Sequence, residues 1–213
     1  MDSIAQMLLM TGAQKRQPIL FVGSNYGYVN AGGSLTVNGG GSMKAGDLMI
    51  VLAFGKSTTI PTTGSSGWTT LHTKAGASTA LAVFGKVATG TSESIQITNG
   101  YEAEAQVLRY AAMATPGGTY GAVASTASTA VTSINLPALT LTKTDGTSRV
   151  LGFVTSSTSS VPTGYAGMTA LGGYSQVNHL YTTAPVSSWP ALSGGSIGAA
   201  ADLVSVSLEI LRS

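Results

Sequence analysis

The sequence predicts an all-β protein, a jelly-roll-like β-sandwich built from two pseudo-repeated strand sets. Three observations carry that expectation. The stretch Gly46 to Phe54, Gly-Asp-Leu-Met-Ile-Val-Leu-Ala-Phe, is apolar from Leu48 to its end and follows a Gly-Gly-Gly-Ser turn. From Pro18 onward, short runs of period two alternate with Gly/Ser/Thr/Pro turns, and no helical pattern lies between them. The order of these runs then recurs after about one hundred residues, as duplication of a strand set would give.

An apolar run bounded by turn residues reads as a strand buried on both faces, and 47–55 is the central one. Before it come Ile19 to Val22, Asn25 to Val29 and Ser34 to Val37. After it, Lys56 to Gly67 is a polar loop, and Trp68 to His72 alternates. Ala80 to Val87 is a second strong strand, Ser94 to Thr98 alternates, and Ala103 to Ala112 closes the first set. In the second set, Ser133 to Leu136 answers Ser34 to Val37, and Arg149 to Val154 answers the central strand. Val161 to Tyr165 answers Ile60 to Gly64 with its trailing Trp68, and His179 to Tyr181 with Ala184 answers Ala82 to Phe84 with Val87. Asp202 to Leu211 answers Ala103 to Ala112. The expected domain is 18–213, with pseudo-repeats at 18–115 and 116–213. Both halves are expected to contribute to one sandwich centred on Leu48, Ile50, Leu52, Val83, Val107, Leu151 and Val154.

Residues 1–17 stand apart as an N-terminal arm, helical or extended. Asp2 or Ser3 suits a helix cap, and Ile4, Met7, Leu8 and Thr11 share a face at helical spacing before Gly12. Met7-Leu8-Leu9-Met10 is costly to leave in water, and methionine suits adaptable contacts. Ile4, Met7, Leu8, Leu9 and Met10 are therefore the candidate docking residues. The segment does not read as a signal peptide, because its first charge is acidic and Lys15-Arg16 follow the apolar run.

Composition narrows the partners. Charged residues are 8% of the 213, against roughly 25% in an ordinary soluble domain. Ser, Thr, Gly and Asn must then cover the surface, which suits a protein held in an assembly. The net charge is +2 without a basic cluster, so nucleic acid is not an expected partner. No apolar run reaches the ~18 residues of a membrane helix, so no insertion is expected. There is no cysteine, and no cofactor or metal is expected.

No catalytic constellation is legible. His72 and His179 have no acidic or serine partner at a recognisable spacing, although such a site can be assembled from distant residues. Glu102 and Glu104 share a strand face, which reads as a solvated strand start. Asp145-Gly146 reads as hairpin chemistry and Asp47 as a turn residue. Gly39 to Gly41 lacks the lysine and helix of a phosphate loop. Trp68, Tyr165, Tyr174 and Trp189 sit in or beside loops. They either plug the end of a sandwich or offer faces on which sugars stack.

Three pieces together resemble a β-sandwich module of tailed-bacteriophage virion proteins: Ala45 to Phe54, the loop Pro61 to Trp68, and Leu81 to Thr89. The resemblance extends as a pattern over about 33–213, and 45–89 is its specific part. It implies a non-catalytic head-decorating, tail-tip or fibre protein, located on the virion and assembled in the host cytoplasm. Its partners would be other virion proteins, reached through the N-terminal arm, and copies of itself, as in a trimer. The alternative it implies is an adhesin module that binds host-surface glycans.

Overall fold

The computed structural model describes residues 19–29, 33–40, 42–110, 120–158, 168–174, 177–182 and 186–211, and of 19–21, 104–110, 169–174 and 177–182 the backbone. The expected arm, 1–17, lies outside the described residues, and so does Tyr165. Among the described residues the protein is all-β, with thirteen strands and no helix. The first half holds β1 (Ile19–Tyr28), β2 (Ser34–Asn38), β3 (Leu48–Gly55), β4 (Thr62–Thr63), β5 (Thr69–Ala75), β6 (Ala80–Val87), β7 (Ser94–Thr98) and β8 (Glu102–Tyr110). The second holds β9 (Tyr120–Leu136), β10 (Arg149–Ser156), β11 (Met168–Tyr174), β12 (Val177–Thr182) and β13 (Leu192–Ile210).

Three antiparallel sheets form. The first is ordered β1-β8-β3-β6-β5, the second β11-β12-β10-β13-β9, and a small third sheet β2-β7-β4. Read from its other edge, the second sheet runs β9-β13-β10-β12-β11, and each strand then occupies the place of its first-half counterpart. The length of β9 and β13 has the same explanation. Ser133–Leu136 of β9 pairs with Leu192–Ser196 of β13, as β2 pairs with β7. Thus β9 joins the equivalents of β1 and β2 in one strand, and β13 those of β7 and β8.

Side-chain alternation in the central strands distributes the core into layers. Leu48, Ile50, Leu52 and Phe54 of β3 point one way, to meet Leu81 and Val83 of β6, Leu151 and Phe153 of β10, and Val204, Val206, Leu208 and Ile210 of β13. Met49, Val51 and Ala53 point the other way, onto Leu35, Val37, Ile95 and Ile97 of the small sheet. Val150 and Val154 of β10 turn instead to Ile134, Leu136, Trp189 and Ile197 within the second half. To the expected sandwich shared by both halves, the cores add a further layer within each half. Each half has a core of its own, and a third core joins them face to face. The cause is the run of apolar residues on both faces of β3, which needs a partner layer on each side. Five of the seven expected core residues lie in the joining layer, Val154 lies in the second half's own core, and the side chain of Val107 is not among those described.

The joining layer is reciprocal. β5 lies against β9 and β1 against β11, and these are pairs of counterparts with the halves exchanged. Such a contact approximates the two-fold interface of a dimer whose subunits share one chain.

The sequence reading missed two stretches of strand, 120–132 and 192–201. Both are written in Ala, Ser, Thr and Gly, with few large apolar side chains to mark an inward face. The bend between the two parts of the β9–β13 ribbon falls at Ala130, whose φ is 51°, and at Asp202. The Asp202 carboxylate accepts from Ala130 N at 3.1 Å and from Ser78 Oγ of the first half at 2.5 Å.

Candidate functional site

The three sequence pieces 45–54, 61–68 and 81–89 converge on one corner of the first half. Gly46, with φ 89°, and the Asp47 carboxylate, which accepts from Lys44 N at 2.7 Å, form the turn into β3. That turn is tied to the end of β6 by Gly46 N to Ala88 O and Ala88 N to Asp47 O, each 2.8 Å. Lys86 of β6 places its ammonium 5.9 Å from the Trp68 ring centroid and 2.6 Å from Glu93 Oε2. Trp68 Nε1 donates to Ser94 O at 3.0 Å. Burial pulls the Glu93 pKa up, but the Lys86 ammonium and the amide and hydroxyl of Thr89 outweigh it and hold the carboxyl below its ordinary value. The motif spacing is thus the recipe for a strand corner: turn, indole plug and lysine clamp. Trp68 is partly buried against the first half's own core.

The other expected aromatics divide. Trp189 is buried, with its Nε1 donating to Pro137 O and Ser207 Oγ, both at 3.2 Å. It plugs the second half and has no open face for a sugar, which corrects its reading as a stacking surface. Tyr174 ends β11, and its side chain lies outside the described set. Trp68 and Trp189 occupy different halves and do not form a common surface.

His72 and Ser125 are brought together by the packing of β5 on β9, with Nε2 to Oγ at 2.8 Å. No sequence spacing could signal this pair. Burial, followed by the nearby Lys74 charge, lowers the His72 pKa below its ordinary value. A neutral imidazole beside a hydroxyl is part of a nucleophile–base arrangement. Among the described residues, however, no carboxylate bonds the imidazole to orient it. His179 is in β12, with its side chain outside the described set.

The carboxylates also depart from expectation. Glu102 is fully buried at the start of β8 and is not a solvated end; the side chain of Glu104 is not among those described. Gly146, with φ 76°, does form a turn beside Asp145, but β9 and β10 on its two sides are not paired with one another, so this is no hairpin. Glu209 was not singled out by the sequence, yet its carboxylate is held by four hydrogen bonds. Its carboxylate accepts from Ala122 N, Thr142 N and Lys143 N at 2.9, 2.8 and 3.2 Å, and from Ser148 Oγ at 2.5 Å. Desolvation raises its pKa, but the Ser148 hydroxyl and the three amides more than offset this and leave it lowered. Glu209 fastens the 137–148 connection onto β13. No group of three or more His, Asp or Glu is placed to hold a metal among the described residues.

A further cluster had no sequence signal, because its members are far apart in the chain. Tyr28, Lys56 and Tyr101 meet at one end of β1, β3 and β8. Tyr28 and Tyr101 pack edge to face, with centroids 5.1 Å apart and hydroxyls 3.2 Å apart. Phe54 meets Tyr101 edge to face at 6.0 Å, and Lys56 Nζ lies 5.0 Å from the Tyr101 centroid. The hydrogen bond to Tyr101 is the main reason the Tyr28 pKa is raised.

Compared with known families, curated proteins and solved structures, the chain has no significant match.

Proposed function

We propose that this chain is a structural, non-catalytic protein of a tailed-bacteriophage virion, exposed on the particle as a head decoration, head fibre or tail component. The observation that carries the reading is strand order. A jelly roll deals its eight strands, in chain order, into one sheet running 1-8-3-6 and another running 2-7-4-5. The first half follows that scheme as β1-β8-β3-β6 and β2-β7-β4, with β5 moved to the edge beside β6. The second half repeats it with its strands fused, so the chain reads as two jelly rolls from a duplicated strand set, packed sheet to sheet.

Jelly rolls recur in viral shell proteins and in lectins, and fold by itself does not fix function. Composition favours the virion. A surface poor in charge repels its neighbours weakly, which suits repeated contacts in an assembly. The carboxylates that are well bonded, Glu93 and Glu209, hold a corner and a loop and leave no open chemistry. Residues 1–17 supply the arm that docks on other virion proteins through Ile4, Met7, Leu8, Leu9 and Met10. Burying each such side chain is worth roughly 1.5–3 kcal/mol before ordering costs. One arm then binds weakly, and a homo-oligomer that engages several arms at once binds well.

Deletion of residues 1–14 tests the docking role. The truncated protein should fold and melt as the full chain does but fail to join particles. Normal incorporation would remove the arm as the anchor. The second reading of the sequence, a glycan-binding module, rests on different residues from those first expected, as follows.

A further inference from the structure

We propose that Tyr28, Tyr101 and Lys56 form a binding site for a neutral pyranose sugar. The site deepens the glycan-binding reading and is independent of the assembly role. Tyr28 is 44% exposed, one of two large hydrophobic side chains exposed among the described residues, and it is the one held by a second aromatic ring.

Pre-organisation is the first argument. In the sheet register Tyr28 pairs with Glu102, and Glu102 pairs with Phe54, so the three side chains leave the same face of neighbouring strands. Tyr101 precedes Glu102 and stands edge-on between Tyr28 and Phe54. Its backbone is fixed on both sides, by Val29 N to Tyr101 O at 3.0 Å and Tyr101 N to Phe54 O at 2.7 Å. Tyrosine has few torsions to freeze, and here the strand ladder and the neighbouring rings already hold it. A ligand therefore meets a surface whose ordering cost is already met.

Chemistry selects the ligand class. An exposed phenol ring offers an apolar face to the C–H side of a pyranose, while two hydroxyls 3.2 Å apart and the exposed Lys56 ammonium offer polar groups to its hydroxyls. Charge argues against an anion. Glu102, the register partner of Tyr28, is fully buried and adds no accessible cation. Lys56 is the one cation of the cluster, without the paired charged donors that clamp an anion, so an uncharged sugar fits it better than a phosphate or a uronic acid.

Saturation-transfer NMR on the full chain, with oligomers of glucose, galactose and N-acetylglucosamine as probes and glucuronate oligomers as the acidic comparison, tests the site. Transfer to ring protons of at least one neutral oligomer is expected, at least tenfold weaker in Tyr28→Ala and largely kept in Tyr28→Phe, with Lys56→Ala intermediate. Amide shifts in the wild-type protein should cluster at 28, 56 and 101, a readout that holds even if Tyr28→Ala melts early. Absence of transfer from every neutral oligomer, equal transfer in Tyr28→Ala, shifts centred elsewhere, or preference for glucuronate would each overturn the proposal.

Discussion

His72 Nε2 lies 2.8 Å from Ser125 Oγ, and that bond joins β5 of one half to β9 of the other. It marks the rim of the apolar layer between the two five-stranded sheets. The burial of His72 at this rim makes stability depend on pH. Burial and then Lys74 lower the His72 pKa from its ordinary 6.5. The unfolded chain therefore takes up the proton first as pH falls. The stabilisation is complete above about pH 6.5 and is lost as pH drops through the lower, folded value. The melting temperature should fall on acidification in that window, and His72→Asn should flatten the slope. A titration that places the imidazole above 6.5 would contradict this.

Glu209 governs a lower window. Its carboxyl stays ionised below the ordinary 4.5, so its contribution is present above that value and fades as pH falls through the folded pKa. Glu209→Gln presents an amide donor to three backbone amides and a hydroxyl that need an acceptor. Each buried donor left unpaired costs about 1–3 kcal/mol, so a loss on the order of 3 kcal/mol or more is expected in chemical denaturation. A loss under about 1 kcal/mol would show that the network is dispensable.

The reciprocal layer predicts what happens when the chain is divided. Expressed alone, 1–115 or 116–213 would expose the apolar face that carries Leu48, Ile50 and Phe54, or its counterpart with Val204, Val206 and Leu208. A contiguous patch of that kind drives aggregation or self-pairing. Co-expressed, the two fragments should co-purify as a one-to-one complex. Ile50→Asp should abolish that complex, because an unpaired charge in this layer costs several kcal/mol. Two fragments that are each soluble and monomeric would contradict the layered architecture.

Much of this fold was legible from local signals. The run from Leu48 to Phe54 announced a strand buried on both faces, and the answering run from Arg149 to Val154 announced its counterpart. What the pattern could not state was whether the two apolar faces of β3 share one core or enter two, because alternation gives sides and not partners. The Ala/Ser/Thr stretches of β9 and β13 escaped for want of large side chains. The candidate site was less legible. For Trp68 and Trp189 the sequence left plug and stacking surface both open, and only the packing shows their indole N–H groups bonded to carbonyls and their rings set against cores. Tyr28 and Tyr101 are 73 residues apart, and only the adjacency of β1 and β8 brings them together.

The proposed place of this chain on a virion's exterior is tested most directly by cryo-electron microscopy of particles purified from cells that produce it. Repeated density on the outer surface that fits the two stacked β lobes is expected, in a symmetric arrangement anchored at the end from which β1 begins. Particles that lack the protein while the infected lysate contains it in quantity would contradict the claim.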